Sequence, residues 1–297
     1  MQKLTSESHI FSFSRDEPPA LRVKSGETVQ IETMDCFSNQ IVTESDKLDR
    51  IDWDHVNPAT GPVFVEGAEP GDTLKVDIET IELAGQGVMA TGKGFGVLGH
   101  KMEGLYEKIV PITGDEAVFS EKIRIPLNKM IGVIGVAPSG EPVPCGTPGS
   151  HGGNMDNKRI AEKTSVYLPV AAEGALFSLG DVHAVMGDGE IGVTGVEAPA
   201  LVTVKFEVLK DMGIKNPFIE TDDIVATIAS HEEISKAITT AVEDMERLLT
   251  EGAPMETHEM AMLLSAVGNV EVCQVVDPLN TVRFSVPLWI YYIFFNH

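Results

Sequence analysis

The sequence is poor in cysteine, with only Cys36, Cys145 and Cys273 in a chain of 297 residues. The three are widely spaced and no C-x-x-C pair occurs, which argues against both a disulfide framework and a thiolate zinc cage. The first residues also lack the basic segment and apolar stretch of a secretory signal. Both observations favour a protein that works in the reducing cytoplasm.

Basic residues are scarce as well: 22 lysines and arginines stand against 45 aspartates and glutamates, for a formal net charge of −23. Such a chain repels phosphate backbones and anionic lipid, so we expect neither a nucleic-acid partner nor a membrane partner. The apolar run at 288–297, LWIYYIFFNH, is far shorter than the roughly 20 residues that span a bilayer. We treat it as an atypical apolar tail, either a docking segment or a non-native ending.

Several common catalytic motifs are missing. The chain has no G-x-S-x-G nucleophile elbow, no H-E-x-x-H zinc motif and no P-loop lysine motif. A G-x-G-x-x-G match at 94–99 follows a glycine-rich stretch and opens no helical pattern, which argues against a dinucleotide site. The enzyme classes that depend on these motifs are therefore set aside.

What the chain does have is a series of β patterns. Short β-branched segments, often alternating between apolar and polar residues, predict strands separated by clusters of glycine and proline. The expected strands are residues 27–33, 73–81, 131–136, 165–170, 201–208, 270–276 and 281–286.

Helical patterns appear only towards the C-terminus. Ser230 and Glu233 have the spacing of a capping box, and apolar residues at helical spacing follow over 234–249. A second helix is expected at about 257–267, ending at Gly268. The two segments predict a helical pair.

The fold class that follows is mainly β with a C-terminal α+β portion. We expect a β-sandwich or a large mixed sheet, with the helical pair packed on one side. No linker or internal repeat divides the sequence, so residues 1–297 are expected to form one domain. That domain would be β-rich over 1–229, hold the helices and closing strands over 230–287, and end in the apolar tail.

The most informative segment for chemistry is 179–190, LGDVHAVMGDGE. Residues two apart in a strand face the same way, so Asp181 and His183 would project together, as would Asp188 and Glu190 across a glycine turn. A carboxylate and an imidazole on one face are a natural pair of ligands for a divalent metal. The competing interpretation is that Asp181 caps a turn and His183 is an ordinary histidine of the sheet.

A second cluster lies at 150–158, SHGGNMDNK. Its glycine pair permits positive φ and a close approach of the backbone to a ligand. His151, Asn154 and Asp156 would then lie on a loop that wraps a small site. The alternative is a surface turn, since Asn, Asp and Gly are the usual turn formers.

Two further residues are candidates. Asp35 follows the strand at 27–33 and is either a ligand or a turn residue. Cys145 could be a nucleophile near His151, but its surroundings, PCGTPG, show no helix start or basic group that would lower the pKa of the thiol.

Three stretches resemble the acetamidase/formamidase family: NPATGPVFVEGAEPGD at 57–72, HGGNMDNK at 151–158 and YLPVAAEGALFSLGDVHAVMGDGEIGVTGVE at 167–197. The resemblance runs from about residue 5 to Pro287, beyond which the family pattern is usually more polar. It implies hydrolysis of formamide, acetamide and similar amides, a divalent metal in the site, a mainly β fold and a homo-oligomer.

The family motifs also imply which residues surround the site, and the division of roles among them is our interpretation. Zinc is favoured as the metal, with calcium as the alternative, and a carboxylate would take the proton of a metal-activated water. The assigned metal ligands are Asp35, His151, Asp181 and His183; the catalytic carboxylates are Glu190, Asp156 and Asp188; the substrate-binding residues are Asn154, Gly152 and Gly153.

The expected function is therefore a cytoplasmic, metal-dependent amidohydrolase that converts short aliphatic amides to ammonia and a carboxylate. It is expected to act as a homodimer or a higher homo-oligomer. Two alternatives remain open: a cysteine-dependent amidase that uses Cys145, and a non-catalytic β-protein that binds a metabolite or an ion.

Overall fold

The computed structural model describes residues 1–295, which form short strands and three helices. The strands are β1 (Gln2–Leu4), β2 (His9–Ile10), β3 (Ser12–Phe13), β4 (Leu21–Lys24), β5 (Thr28–Thr33), β6 (Ala59–Glu66), β7 (Thr73–Leu83), β8 (Gln86–Gly92), β9 (Leu105–Thr113), β10 (Glu116–Val118), β11 (Arg124–Pro126), β12 (Met130–Gly135), β13 (Val143–Pro144), β14 (Gly152–Asn154), β15 (Ser165–Pro169), β16 (Phe177–His183), β17 (Ala200–Leu209), β18 (Phe218–Glu220), β19 (Ile224–His231), β20 (Asn269–Gln274) and β21 (Asn280–Pro287). The helices are α1 (Ile234–Gly252), α2 (Thr257–Val267) and α3 (Leu288–Phe295).

Two large mixed sheets dominate the fold. The first has nine strands in the order β1-β5-β17-β7-β15-β18-β19-β21-β20, with β1 and β5 parallel. The second has six strands, in the order β14-β12-β16-β6-β2, with β4 added parallel to β6. Strands β8 to β11 form a smaller antiparallel sheet beside them. The predicted mainly β fold class is confirmed.

The two large sheets share one apolar core. Val202 of β17 lies opposite Ile31 of β5 in the nine-stranded sheet, and both side chains are buried. Ile131 of β12 and Leu179 of β16, from the six-stranded sheet, belong to the same core cluster. Because side chains alternate between the faces of a strand, each sheet turns one apolar face towards this core. The sheets therefore form a sandwich.

The helical pair packs on the nine-stranded sheet near its C-terminal strands. Helix α1 buries Ala237, Ala241 and Met245, which repeat every four residues and so share one face of the helix, against β19 and β21. Helix α2 has the predicted bounds and buries Met260 and Leu264 in the same apolar cluster.

The capping-box interpretation of Ser230 is wrong. Ser230 still belongs to β19, where its hydroxyl lies 2.9 Å from the hydroxyl of Thr281 on the neighbouring strand. Helix α1 begins at Ile234, with Glu233 at its N-cap position and no side chain that caps it. Ser230 is therefore paired with β21 in the sheet and does not cap the helix.

The apolar tail forms helix α3, and its last residues, 296 and 297, lie outside the described part of the chain. Ile290, Tyr291 and Phe294 are buried in the cluster that includes α1, whereas Trp289 and Ile293 are exposed. Among the described helices, none combines the length and the apolar character needed to cross a membrane.

Candidate metal centre and active site

Four carboxylates, those of Asp156, Asp181, Glu190 and Glu197, surround the imidazole of His183 inside the protein. A fifth, that of Asp277, adjoins Asp156 and Asn154, and we call these five residues together with His183 the carboxylate cluster. All are buried except Asp277, which is half-buried.

Strand β16 supplies the centre of the cluster. Asp181 and His183 lie two residues apart, and His183 Nε2 is 3.4 Å from Asp181 Oδ1. Gly132, on the neighbouring strand β12, makes room for Asp181 and Asp156. A Cβ at that position would lie 2.5 Å from Asp156 Oδ1, 2.6 Å from Asp181 Oδ2 and 2.9 Å from the carbonyl oxygen of Asp181, so any other residue would displace the two carboxylates.

The other members come from loops. Asp156 follows β14, and Glu190 and Glu197 lie on the connection between β16 and β17. That connection folds back on its own strand, so that His183 forms an isolated β-bridge with Glu197. Asp277 comes from the connection between β20 and β21, far along the chain.

Ligand atoms in the cluster are close enough to share a cation. His183 Nε2 is 3.0 Å from Glu197 Oε2 and 3.8 Å from Asp156 Oδ1. In each of two sets of three residues, all ligand atoms lie within 4.8 Å of one another. The sets are Asp156, His183 and Glu190, and Cys36, Asp181 and Glu197.

The electrostatics of the cluster are those of crowded negative charge. Burial and the charge of Asp181 raise the pKa of Asp156 to about 7, although His183 opposes the shift. Burial also raises the pKa of Glu197 to about 8. Burial alone would lower the pKa of His183, but the charges of Glu197 and Asp181 raise it well above its usual value. The cluster therefore requires either bound protons or a cation.

Some buried acceptors of the cluster have no hydrogen-bond partner within residues 1–295. Among them are both carboxylate oxygens of Asp156, and Oδ1 of the adjacent Asn154 also has none. A buried polar atom that is left unpaired costs roughly 1–3 kcal/mol. Unpaired oxygens of this kind fit a divalent cation or a polar ligand.

The backbone is strained at three positions of the cluster. Asp156, Asp181 and Glu190 have φ values of 41°, 53° and 45°, in the left-handed region that favours glycine. Such conformations cost on the order of 1–3 kcal/mol each and persist only where the surrounding structure holds them. They concentrate at functional sites, which agrees with the position of these residues.

A cavity of about 130 Å³ opens onto the cluster. Trp53 and Phe95 stack at 5.7 Å between ring centroids, and Trp53 is partly exposed, so this pair forms an edge of the opening. Its polar lining residues include Asn154, Asp181, Glu190, Glu197 and Asp277. Its apolar lining residues are Phe37, Leu48, Trp53, Val56, Ala90, Phe95 and Val193.

Comparison with known proteins shows the family of the chain. The model of the acetamidase/formamidase family matches residues 5–145 and 143–285. The chain belongs to the acetamidase/formamidase family. Two solved structures share its fold over nearly the whole length: a recombinant predicted acetamidase/formamidase from Thermoanaerobacter tengcongensis, at 54% identity and a TM-score of 0.97, and an acetamidase from Bacillus halodurans, at 46% and 0.96. The alignments cover 99% and 98% of this chain, and 97% and 99% of those chains.

Curated relatives are more distant. A formamidase from Methylophilus methylotrophus is 27% identical, in an alignment that covers 71% of this chain and 68% of that protein. A putative formamidase from Schizosaccharomyces pombe is 29% identical, in an alignment that covers 68% of this chain and 65% of that protein. The chain thus spans about two thirds of the length of the curated relatives that it matches.

Two of the residues predicted from the sequence to be metal ligands, Asp35 and His151, belong to neither ligand set. Oδ1 of Asp35 accepts backbone N–H groups of Phe37 and Asn39, which is the geometry of a turn, and burial raises its pKa to about 6. The ring of His151 packs edge-on against Phe13, and burial lowers its pKa to about 4. Their assignment as ligands stays a prediction.

The glycine pair and Asn154 have different environments. Cβ atoms at Gly152 and Gly153 would lie 2.2 Å from the carbonyl oxygen of Ile134 and 2.3 Å from that of Thr147. Both glycines therefore serve close backbone packing, and neither lines the cavity. Asn154 does line it, and its Nδ2 donates to Asp277 Oδ2 at 3.0 Å.

Asp188 points away from the cluster. Its two carboxylate oxygens accept from the guanidinium of Arg283 at 2.9 and 2.8 Å, and Lys158 Nζ lies 2.8 Å from Oδ2. Burial tends to raise the pKa of Asp188, but these two cations lower it. A carboxylate so paired is a weak base, which does not favour the catalytic role assigned to Asp188.

Cys145 is unsuited to act as a thiolate. Its Sγ donates to the carbonyl oxygen of Ile10 at 3.5 Å, and burial raises its pKa to about 12. It does not line the cavity, in contrast to Cys36, whose pKa burial also raises well above its usual value.

Three ionisable residues that line the cavity were not predicted from the sequence: Cys36, Glu197 and Asp277. Glu197 ends the family-like stretch at 167–197 and could have been found there. Asp277 carries no local signal, because a loop distant in the sequence brings it to the cluster.

The raised pKa values give a pH prediction for the metal-free protein. With folded-state pKa values of about 7 and about 8, Asp156 and Glu197 keep protons that the unfolded chain releases near pH 4. This stabilisation is present below about pH 4 and is lost as pH rises through about 7 to 8. We expect the urea midpoint of the chelator-treated protein to fall between about pH 5 and pH 8.5.

Asp156→Asn should reduce the slope of the urea midpoint against pH, because it removes one of the two titrating carboxylates. Asp16→Asn, at an exposed acid, should leave that slope unchanged. Equal slopes in the three proteins would contradict the assignment of the pH dependence to the cluster.

Proposed function

We propose that this chain is a metal-dependent amidohydrolase that cleaves short aliphatic amides to ammonia and a carboxylate. The observation that carries the proposal is the buried group of carboxylates around His183, three of which, Asp181, Glu190 and Glu197, also line a cavity with apolar side chains. Relatives named formamidase and acetamidase support an amide as the substrate.

The residues present fit a divalent cation. The two ligand sets combine carboxylate oxygens with an imidazole and a thiol, a mixture that favours zinc over calcium, since calcium takes oxygen ligands. When bound, such an ion would polarise an amide carbonyl and acidify a water molecule. His183 with Asp156 in one set, and Asp181 with Glu197 in the other, are the residues that would hold it.

Glu190 is the residue that we assign to proton transfer, with Asp156 as the second choice. Glu190 lines the cavity and Asp156 does not. Burial and the charge of Asp156 raise the pKa of Glu190 well above its usual value. A carboxylate of that basicity can take a proton from water and deliver it to the departing nitrogen.

Asn154 is placed to bind the amide group. Its Oδ1 is buried without a partner in the described chain and can accept an N–H of the substrate, while its Nδ2 is held by Asp277. This contact would orient the amide nitrogen towards the carboxylate that protonates it.

The cavity favours a short and neutral substrate. Its volume of about 130 Å³ is well below the roughly 300–1,000 Å³ of sites for drug-sized ligands. Its apolar lining residues, such as Phe37 and Val193, can contact the hydrogen or methyl group of formamide or acetamide. Among the residues described, no lysine or arginine lines it, so no basic side chain there would pair with an anionic substrate.

The remaining properties that we propose concern the protein as a whole. Three buried free cysteines are compatible with the reducing cytoplasm. Exposed apolar side chains, among them Trp289, Ile293 and Met262, support assembly into a homodimer or a higher homo-oligomer. We also propose that residues 1–297 act as one unit.

Removal of the central imidazole tests the metal. His183→Ala should lose bound zinc and ammonia release from formamide and acetamide, because the cluster loses its nitrogen ligand, and it should still unfold cooperatively. Elemental analysis and an ammonia assay measure both effects, with His258→Ala, at an exposed histidine of α2, as the matched control.

Wild-type metal content in His183→Ala would remove this residue from the site. Failure of the metal-replete wild type to release ammonia from any short amide would favour a non-catalytic binding protein.

The choice of proton carrier has its own test. Glu190→Gln should lower kcat by roughly two to four orders of magnitude, the usual range for loss of a general base, with KM and metal content little changed. Cys145→Ser should be nearly silent in the same assay. An active Glu190→Gln together with an inactive, folded Cys145→Ser would move the nucleophile to sulfur.

A further inference from the structure

Arg283 of β21 is fully buried, and acceptors occupy all five of its N–H donors. Nη1 and Nη2 donate to Oδ1 and Oδ2 of Asp188 at 2.9 and 2.8 Å. Nε and Nη2 donate to Glu271 at 3.2 and 3.0 Å, and Nη1 also donates to Asn157 Oδ1 at 3.0 Å. Two bidentate pairs and a third contact fix this guanidinium in one orientation.

Nη1 also lies 3.7 Å from Cys273 Sγ. Of the oxygen acceptors of Arg283, those of Asn157 and Asp188 adjoin members of the carboxylate cluster. Asn157 directly follows Asp156, and Asp188 precedes Glu190 by two residues. Asp156 and Glu190 are also two of the residues with left-handed backbone. Conformations of this kind need support from outside their own segment, and Arg283 contacts the neighbour of each.

The strand beside Arg283 supports the Glu190 segment as well. Gly189 donates its backbone N–H to the carbonyl oxygen of Cys273 at 2.8 Å and forms an isolated bridge with Gln274. Glu271, the third partner of Arg283, lies on the same strand, β20, but adjoins no residue of the cluster.

We propose that Arg283 is a positioning residue, which holds the segments of Asp156 and Glu190 in the geometry that binds the cation. Arg283 does not line the cavity, so it acts through Asn157 and Asp188 and not on the substrate. The expected effect on cation binding rests on the proposed function, but the placement of the two segments can be measured without metal or substrate.

Asp188→Asn and Glu271→Gln are compared in the test, because each neutralises one carboxylate of a bidentate pair with Arg283. Asp188 also pairs with Lys158, so Lys158→Gln controls for the loss of that contact. If Arg283 were merely structural, Asp188→Asn would differ from Glu271→Gln by no more than Lys158→Gln differs from wild type. A positioning role makes them differ, since only Asp188 is connected to the Glu190 segment.

Hydrogen exchange of the metal-free proteins is the first measurement. In Asp188→Asn, amide exchange over residues 186–192 should rise about tenfold or more relative to wild type, and in Arg283→Lys over 153–158 as well. Glu271→Gln should leave both segments at the wild-type rate. Equal exchange in Asp188→Asn and Glu271→Gln would overturn the proposal, and this comparison stands even if Arg283→Lys does not fold.

Zinc affinity, measured by competition with a chromophoric chelator, is the second measurement. Asp188→Asn should bind zinc about 10- to 100-fold more weakly than wild type, the usual effect of removing a residue that orients ligands, and Glu271→Gln should bind it normally. Altered exchange with unaltered zinc affinity would overturn the link to the cation. A wild type that binds no zinc would overturn that link and the proposed metal centre, and the exchange data would still decide whether Arg283 positions the two segments.

Discussion

Crowding of negative charge around His183 is the constraint on which the site depends. Two like charges about 4 Å apart repel by about 4 kcal/mol at an effective dielectric constant near 20. Four buried carboxylates surround His183, those of Asp156, Asp181, Glu190 and Glu197. A fold that keeps them there must supply protons or a cation.

The sandwich creates this crowding by bringing distant segments to one strand. Strand β16 lies inside the six-stranded sheet, between β12 and β6, and Gly132 of β12 leaves the space that the two aspartates fill. The connection after β16 returns Glu197 to His183. The C-terminal strands add Asp277 at the cavity and Arg283 behind it, so the α+β portion completes a site that the β-rich portion begins.

The sequence was sufficient for the parts of this arrangement that are local. Alternation along the strands predicted the mainly β class, and the two-residue spacing of Asp181 and His183 predicted that they project together, as they do. Nonlocal contacts were beyond it. Asp277 reaches the cluster through a loop, and Asp188 faces Arg283 instead of the cavity, because tertiary pairing decides both. Ser230 illustrates the same limit, since a strand ladder took the place of a helix cap.

Anomalous diffraction from zinc-loaded crystals tests the central claim, that the carboxylate cluster is a cation site. If the cluster is a cation site, an anomalous peak will lie within about 2.0–2.2 Å of His183 Nε2 and of at least one carboxylate oxygen of the cluster. The claim would be contradicted by crystals with a well-ordered cluster and no anomalous peak there, in which His183 Nε2 contacts only Glu197 and Asp181.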